Sequence, residues 1–308
     1  MSDAAAPFTV PYAIGCDIGV TNVKTACATV EGTVIARDTA DTNAQSPDWP
    51  TNVKRLLDSL QSRHGRAAAV GIAAPGIAHP RRGHIFWMQG RLDTVQGLDW
   101  TKRLGWRGEI PVVNDAQAAL LGEVWQGAAR GSRNVALLTL GTGVGGALMV
   151  DGNLLKGAIG RAGHLGHVSL DPDGAADVTN CPGSLEGAIG NVTVEERTGG
   201  RFKTTHDLVA AHLGGDDFAT RCWLKSVQAL AAAVASIINV ADPEVFIIGG
   251  GIARAGAALF EPLNHNLGRF EWRPHGHRVK VVPAELGEYA GALGAARLAW
   301  ECLNDDPR

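Results

Sequence analysis

The chain has 308 residues, of which 45% are hydrophobic and 19% charged, a composition typical of a globular protein long enough for two domains. Its net charge of −3, with no block of Lys and Arg, argues against a nucleic-acid partner. No apolar run approaches the roughly 18 residues of a membrane-spanning helix, and residues 1–7 lack the pattern of a secretory signal, so we expect no membrane partner. The five cysteines are scattered singly, which favours reduced thiols and a cytoplasmic location.

The first half of the chain predicts strands followed by an alternation of helices and strands. Apolar and β-branched runs bounded by turns indicate the strands, whereas Val53, Leu56, Leu57 and Leu60 recur at helical spacing. The predicted elements are strands over 12–17, 23–30 and 33–38, a helix over 50–64, strands over 67–73 and 110–113, and a helix over 116–126.

The second half restarts with the same pattern of strand, glycine turn and strand over residues 135–150. This repetition predicts two similarly folded halves. The remaining elements are helices over 223–240, 257–269 and 291–303 and strands over 245–248 and 278–283, an alternation that indicates an α/β layer. We therefore expect one domain of residues 11–115 completed by the last helix, 291–303, and a second domain of residues 116–290.

Three glycine-rich turns follow predicted strands, at residues 17–22, 141–146 and 249–251. Backbone N–H groups bared by glycine can hold phosphate, and Asp17 could hold a hydrated Mg²⁺ against it. The first two turns lead into strands and lack a Lys-Ser/Thr pair, so they are neither Walker loops nor dinucleotide-binding loops. A tight hairpin turn explains any one of them, but together they predict a nucleotide held between two lobes.

Taken in order along the chain, these motifs resemble the ROK sugar kinases, a family within the wider fold shared by actin, hexokinases and Hsp70. The resemblance runs from Tyr12 to Trp300. It rests on residues 17–22, 74–76, 114–115, 140–146, 163–167, 181–186 and 249–251. It implies a two-lobed α/β structure, the actin-like ATPase (ribonuclease H-like) fold, with duplicated β-sheet domains and an interlobe cleft.

The activity implied by the resemblance is transfer of a phosphoryl group from ATP, with Mg²⁺, to the 6-hydroxyl of a hexose. Glucose is the first choice of hexose, ahead of N-acetylmannosamine and N-acetylglucosamine, and the assembly implied is a homodimer or a dimer of dimers. The first domain would then be the sugar and phosphate lobe, and the second the nucleotide and dimerisation lobe.

The resemblance also assigns roles to individual residues. Asp115 matches the family's catalytic aspartate, which would accept the proton of the attacking hydroxyl, although Asn114 or Asp115 could instead only cap the helix that follows. The substrate-binding residues would be Gly76, Asn114, His164, His167, Glu186 and Arg91. The nucleotide-binding residues would be Asp17, Gly19, Thr21, Asn22, Lys24, Gly141, Thr142, Gly143, Gly249, Gly250 and Gly251, with Asp17 holding Mg²⁺ through water.

The chain departs from the family at a zinc loop. Most members carry Cys-x-Cys-Gly-x-x-Gly-Cys before the glutamate, and the cysteine positions here hold Asp177, Thr179 and Ser184. A single thiolate, Cys181, cannot complete the four-ligand site that structural zinc prefers. We therefore expect no zinc, and a loop that is ordered by packing with help from its prolines.

Two further departures concern the sugar. His164 stands where the family usually has a glutamate, and a neutral imidazole offers one donor and one acceptor where a carboxylate only accepts. Arg91 falls in the segment where the family often shows Pro-Asn-Leu against the sugar, although a solvated loop arginine explains it equally well. Both departures leave the identity of the hexose open.

Two other classes of function compete with a kinase. A sugar-responsive repressor of this family would carry an N-terminal helix-turn-helix, whereas about eleven residues precede the first strand. An ATPase that activates a metalloenzyme would need bridging cysteines. A polyphosphate donor in place of ATP stays open and would favour a basic track beside the donor site.

Overall fold

The computed structural model describes residues 10–81, 83–90 and 92–305. In chain order its strands are β1 Ala13–Ile18, β2 Asn22–Ala28, β3 Val34–Asp41, β4 Ala69–Ala74, β5 Ile77–Ala78, β6 Ile85–Trp87, β7 Val112–Asn114, β8 Val135–Leu140, β9 Val144–Val150, β10 Asn153–Leu154, β11 Val245–Gly249 and β12 Lys280–Pro283. Its α-helices are α1 Pro50–His64, α2 Trp100–Leu104, α3 Asp115–Gln126, α4 Leu185–Ile189, α5 Val194–Arg197, α6 Thr205–Leu213, α7 Asp217–Ala241, α8 Ala257–Phe270 and α9 Ala290–Asp305.

The chain forms two compact units. Unit 1 comprises the residues up to Gly131, Lys156–Ala162 and the residues from Leu286 onward, and unit 2 comprises Ser132–Leu155 and Gly163–Glu285. The expected division after residue 115 therefore differs from the observed one, because α3 belongs to unit 1. Its residue Gly122 packs so closely on the start of α9 that a Cβ there would overlap the carbonyl of Ala290.

Unit 1 is built on a five-stranded sheet in the order β3-β2-β1-β4-β7. The first three strands are antiparallel neighbours, whereas β1, β4 and β7 run parallel. Because the carboxyl ends of parallel strands meet at one edge, the residues at or just after the ends of these three strands lie close together. This edge carries Asp17, Gly76 and Asn114.

Helix α9 packs on the sheet of unit 1 through glycines. A Cβ on Gly15 of β1 would overlap the carbonyl of Ala292, and one on Gly71 of β4 would overlap the carbonyl of Ala295. The two glycines therefore let the helix backbone approach the strands more closely than any other residue would allow. This packing brings the first turn of α9 to the carboxyl end of β1.

Unit 2 repeats the sheet of unit 1 in the order β10-β9-β8-β11-β12. Its first three strands are again antiparallel, and β8, β11 and β12 are again parallel. The duplication expected from the two glycine-turned hairpins is thus present strand by strand. The turn 141–143 and the glycines 249–251 lie at the carboxyl ends of β8 and β11, as the loop 17–22 does for β1.

Helix α7 forms much of the core of unit 2. It is long and apolar enough, by length and composition alone, to cross a membrane, although we expected no such run from the sequence. Half of its most apolar stretch is buried inside the protein, and Trp223, Val227 and Leu230 are fully covered by the core. A core helix accounts for the same length and composition.

Candidate functional site

The carboxyl edge of the unit 1 sheet places Asn114 in a structural role. Its Oδ1 accepts hydrogen bonds from the backbone N–H groups of Ala116 (3.0 Å) and Gln117 (3.2 Å), which makes it the N-cap of α3. Its Nδ2 donates to the carbonyl of Gly76 at 2.9 Å, and the residue is 5% exposed. Asn114 therefore connects the end of β7 to the turn after β4. Of the two residues that the sequence offered as caps of this helix, Asn114 is the N-cap.

Asp115 is the first residue of α3 and is exposed. Its Oδ1 accepts a hydrogen bond from the backbone N–H of Ala116 at 2.8 Å. Because Asp115 is exposed, a molecule that approaches this edge of the sheet can reach its carboxylate.

Asp17 lies at the end of β1 and is an unusually weak acid. Burial and then the negative charge of Asp115 raise its pKa, Lys24 opposes both effects, and the result is a pKa of about 7. Lys24 itself pairs with Glu288, with Nζ and Oε2 3.0 Å apart. A Cβ on Gly291 in the first turn of α9 would lie 2.5 Å from Asp17 Oδ2, so the carboxylate sits directly against that helix end.

The loop after Asp17 is closed by its own backbone. The N–H of Gly19 donates to the carbonyl of Asn22 at 2.9 Å, and Thr42 donates to the carbonyls of Gly19 (2.6 Å, through its hydroxyl) and Thr21 (2.8 Å, through its N–H). Thr21 is exposed, and Gly19 and Asn22 are partly exposed. The loop thus presents a fixed backbone to any phosphate that binds there.

The second glycine turn is fixed in the same manner within unit 2. The N–H groups of Asn191 and Val192 donate to the carbonyls of Gly141 (3.0 Å) and Thr142 (2.9 Å). Gly143 has no such bond from this segment, but its own carbonyl accepts from the N–H of Gly141 at 2.9 Å. The segment after α4 therefore fixes the backbone of the turn by hydrogen bonds.

Glu186 contacts this turn, a connection that the sequence analysis missed. Its Oε2 accepts a hydrogen bond from the backbone N–H of Val144 at 2.8 Å, and a Cβ on Gly143 would overlap the carboxylate. The two residues are far apart in the chain and no local pattern relates them. A substitution at Gly143 must therefore displace Glu186.

The three glycines at the end of β11, Gly249, Gly250 and Gly251, differ in their surroundings. Gly250 has φ +87°, and a Cβ there would overlap the backbone of Leu140. Gly249 is buried beside Ala284, whereas a Cβ on Gly251 would meet no atom within 4 Å. Packing of the fold explains Gly250, and the exposed, open surface at Gly251 suits the approach of a ligand.

His164 directly precedes a short 3₁₀ turn, Leu165–His167, in unit 2, and His167 ends it. The next residue, Val168, accepts a hydrogen bond from the N–H of Leu185 at 2.9 Å, so His167 and Glu186 are each next in the chain to one of these two paired residues. His167 Nδ1 lies 2.7 Å from Asp177 Oδ2. His164 is partly buried.

Hydrogen bonds centred on Asp177 order the loop that follows His167. Asp177 Oδ1 accepts from the N–H and hydroxyl of Thr179 (2.8 and 2.7 Å) and from the N–H of Cys181 (3.0 Å). Burial opposes ionisation of Asp177, but these bonds and the one to His167 outweigh it and hold its pKa well below the ordinary value. The expectation that packing orders this loop thus omitted its main support.

The three positions of the family's zinc cysteines do not suit zinc here. Thr179 donates its hydroxyl to Asp177, and Ser184 Oγ accepts from the N–H of Gly187 at 3.1 Å as the cap of α4. Across residues 10–81, 83–90 and 92–305, no group of three or more His, Cys, Asp or Glu side chains is arranged to hold a metal ion. The absence of zinc remains a prediction.

Arg91, which the sequence analysis proposed as a sugar contact, lies outside the described residues.

Comparison with known proteins gives a consistent result. The ROK family model matches residues 13–301. The glucokinase of Thermotoga maritima is 32% identical over 309 residues, which cover 94% of this chain and 97% of that protein.

Solved structures resemble the whole chain as well. The ROK hexokinase from Thermus thermophilus is 27% identical with a TM-score of 0.82, and the match covers 96% of this chain and all of that one. A ROK family glucokinase from Streptomyces griseus, solved in complex with glucose and AMPPNP, is 25% identical with a TM-score of 0.76, over 94% of this chain and 99% of that one. The expected α/β actin-like ATPase fold is confirmed by these matches.

Proposed function

The chain belongs to the ROK family, and on that premise we propose that it is an ATP-dependent sugar kinase that phosphorylates the 6-hydroxyl of a hexose, with glucose as the first candidate. The observation that carries the proposal is the pair Asp17 and Asp115 at the carboxyl edge of the unit 1 sheet. One carboxylate is exposed at the start of α3, and the other is a weakened acid at a backbone loop suited to phosphate.

In the proposed reaction Asp115 accepts the proton of the sugar hydroxyl. A sugar hydroxyl ionises far above pH 7, so it needs a positioned acceptor while its oxygen attacks the terminal phosphoryl group. The oxygen–phosphorus bond forms to the sugar, the bond to the bridging oxygen breaks, and ADP leaves. Asn114 holds Asp115 in place by capping α3, and its amide also reaches the turn at Gly76.

The nucleotide phosphates are assigned to the backbone of residues 17–22 and 141–143 and to the open surface at Gly251. Support comes from the fixed loop geometry and from the free space at that glycine. Mg²⁺, bound through water by Asp17, would neutralise charge on the phosphates. Burial raises the pKa of Asp17, whereas a nearby cation would lower it and so favour the ionised carboxylate.

On the unit 2 side, His167 and Glu186 are assigned to sugar hydroxyls, and His164 to the group that distinguishes one hexose from another. An imidazole can donate as well as accept, so His164 also suits an N-acetyl carbonyl. N-acetylmannosamine and N-acetylglucosamine are therefore the second candidates. We test this with His164→Glu on the three sugars, since a changed ranking of kcat/KM would place the residue at the specificity-determining end of the sugar.

The proposed location is the cytoplasm, and the proposed assembly is a homodimer or a dimer of dimers. Support for a reducing compartment comes from the cysteines, since Cys16, Cys27, Cys181 and Cys222 form no disulfide within the residues that the structure describes. Light scattering at micromolar concentration measures the assembly directly.

The proposal is tested by ADP release in a coupled assay with glucose, N-acetylmannosamine, N-acetylglucosamine and other hexoses, each with and without Mg²⁺. We expect turnover that requires both a hexose and the cation. Absence of hexose-stimulated ADP release with every sugar would reject the kinase.

A further inference from the structure

The loop between His167 and Glu186 is organised around one buried carboxylate. The Asp177 side chain is 4% exposed, and its Oδ1 takes three hydrogen bonds from Thr179 and Cys181. All three donors are backbone N–H or hydroxyl groups of the same loop. Oδ1 is therefore fully engaged in folding the loop, which leaves Oδ2 for another purpose.

Oδ2 meets the imidazole of His167 at a distance of 2.7 Å from Nδ1. An ionised carboxylate can only accept hydrogen bonds, and the lowered pKa of Asp177 keeps it ionised at neutral pH. Nδ1 must therefore carry a proton. In the neutral imidazole the lone pair then lies on Nε2, and the His167 side chain is 30% exposed.

We infer that Asp177 is a positioning residue that fixes the ring of His167 and its Nδ1–H tautomer, so that Nε2 accepts a hydrogen bond from a substrate hydroxyl. This inference rests on the proposed function for the identity of the substrate, but the tautomer itself follows from the contacts of Asp177 alone. Two of the hydrogen bonds that hold Asp177 come from Thr179, and these two residues stand at two of the three cysteine positions of the family's zinc loop.

A purely structural role for Asp177 is the alternative, and the tautomer separates the two. We would label the ten histidines with ¹⁵N, identify the His167 signals by their loss in His167→Gln, and compare the two ring nitrogens. The inference predicts a protonated Nδ1 and an unprotonated Nε2 in the unliganded protein. The opposite tautomer in the wild-type chain would overturn it, whether or not any variant folds.

Asp177→Asn provides the matching perturbation. The three donors from Thr179 and Cys181 require an acceptor, so the amide oxygen should take the Oδ1 position and the amide nitrogen should face His167. Nδ1 must then accept, and Nε2 becomes the protonated nitrogen. The ¹⁵N spectrum should show this reversal while the loop keeps its hydrogen bonds.

Kinetics show whether the tautomer matters to the sugar. With Nε2 converted from acceptor to donor, kcat/KM for the hexose should fall about 10–100-fold, the usual effect of losing such a supporting partner, and the KM for ATP should change less than about threefold. Asp173→Asn is the control, since it removes a charge from an exposed position in the same loop. It should match the wild type.

Each outcome decides between the claims. A reversed tautomer with unchanged hexose kinetics would overturn the contact through Nε2, and an unreversed tautomer in Asp177→Asn would overturn the positioning role. If the wild-type chain phosphorylates no hexose, the proposed function fails, while the wild-type ¹⁵N spectrum still supports or overturns the role of Asp177.

Discussion

Replacing Asp17 by Asn should stabilise the protein at high pH at the expense of function. The pKa of Asp17 is raised from 3.8 to about 7, chiefly by burial and then by the charge of Asp115. Each pKa unit corresponds to about 1.4 kcal/mol, so the ionised carboxylate costs the folded state up to about 4 kcal/mol. Because Asp17 keeps some contact with solvent, which screens its charge, we expect about half of this destabilisation, about 2 kcal/mol.

The sign follows from proton linkage. Between pH 4 and pH 7 the folded chain keeps a proton on Asp17 that the unfolded chain has released, so the free energy of unfolding falls as the pH rises through this window. Asn carries no charge at any pH. The variant should therefore gain about 2 kcal/mol over the wild type at pH 8 and nearly nothing at pH 4.

Urea denaturation in EDTA, followed by circular dichroism at pH 5, 6, 7 and 8, measures this difference. Asp41→Asn, at an exposed carboxylate on β3, controls for the general effect of removing a negative charge. The argument that ionised Asp17 destabilises the folded chain is wrong if Asp17→Asn is no more stable than the wild type at pH 8. It is also wrong if the free energy of unfolding changes with pH equally in both proteins.

Three other predictions address the remaining parts of the site. Asp115→Asn should lower kcat by about 10²–10⁴-fold with little change in sugar affinity by calorimetry, because Asn114 and not Asp115 caps α3; retention of more than about a tenth of the rate would exclude Asp115 as the proton acceptor. Gly143→Val should raise the KM for both ATP and the hexose, because the side chain must displace Glu186; an effect on ATP alone would contradict that contact. Elemental analysis should find no stoichiometric zinc, and chelators should leave the melting temperature unchanged, whereas one zinc per chain would refute the hydrogen-bonded account of the Asp177 loop.

The sequence predicted those parts of the fold that local patterns determine. Helix α1 is an example: its apolar spacing predicted the observed bounds, and the helix begins at Pro50, a residue favoured in a first helical turn. The strands around the loop at residues 17–22 were placed within one or two residues because β-branched runs ended at glycine turns. The parallel pairing of β1, β4 and β7 then brought Asp17, Gly76 and Asn114 together.

What the sequence did not reveal depends on contacts between distant residues. No local pattern relates Gly143 to Glu186 or identifies Asn114 as the residue whose amide reaches Gly76. The sequence marked Asp177 only as a position where the family has a cysteine. Its structural role depends on four hydrogen bonds that form only in the folded loop. The first unit extends past α3 to Gly131, beyond the expected boundary, because α3 packs on α9 and so belongs to the same unit.

The most direct test of the central claim is ³¹P NMR of the products formed from Mg·ATP and glucose by the wild-type chain and by Asp115→Asn. We predict that the wild type produces ADP and glucose 6-phosphate in equal amounts, and that the variant produces both at least about 100-fold more slowly. ADP formed without any sugar phosphate, or sugar phosphate formed at the same rate by both proteins, would contradict the assignment of Asp115 as the proton acceptor of a sugar kinase.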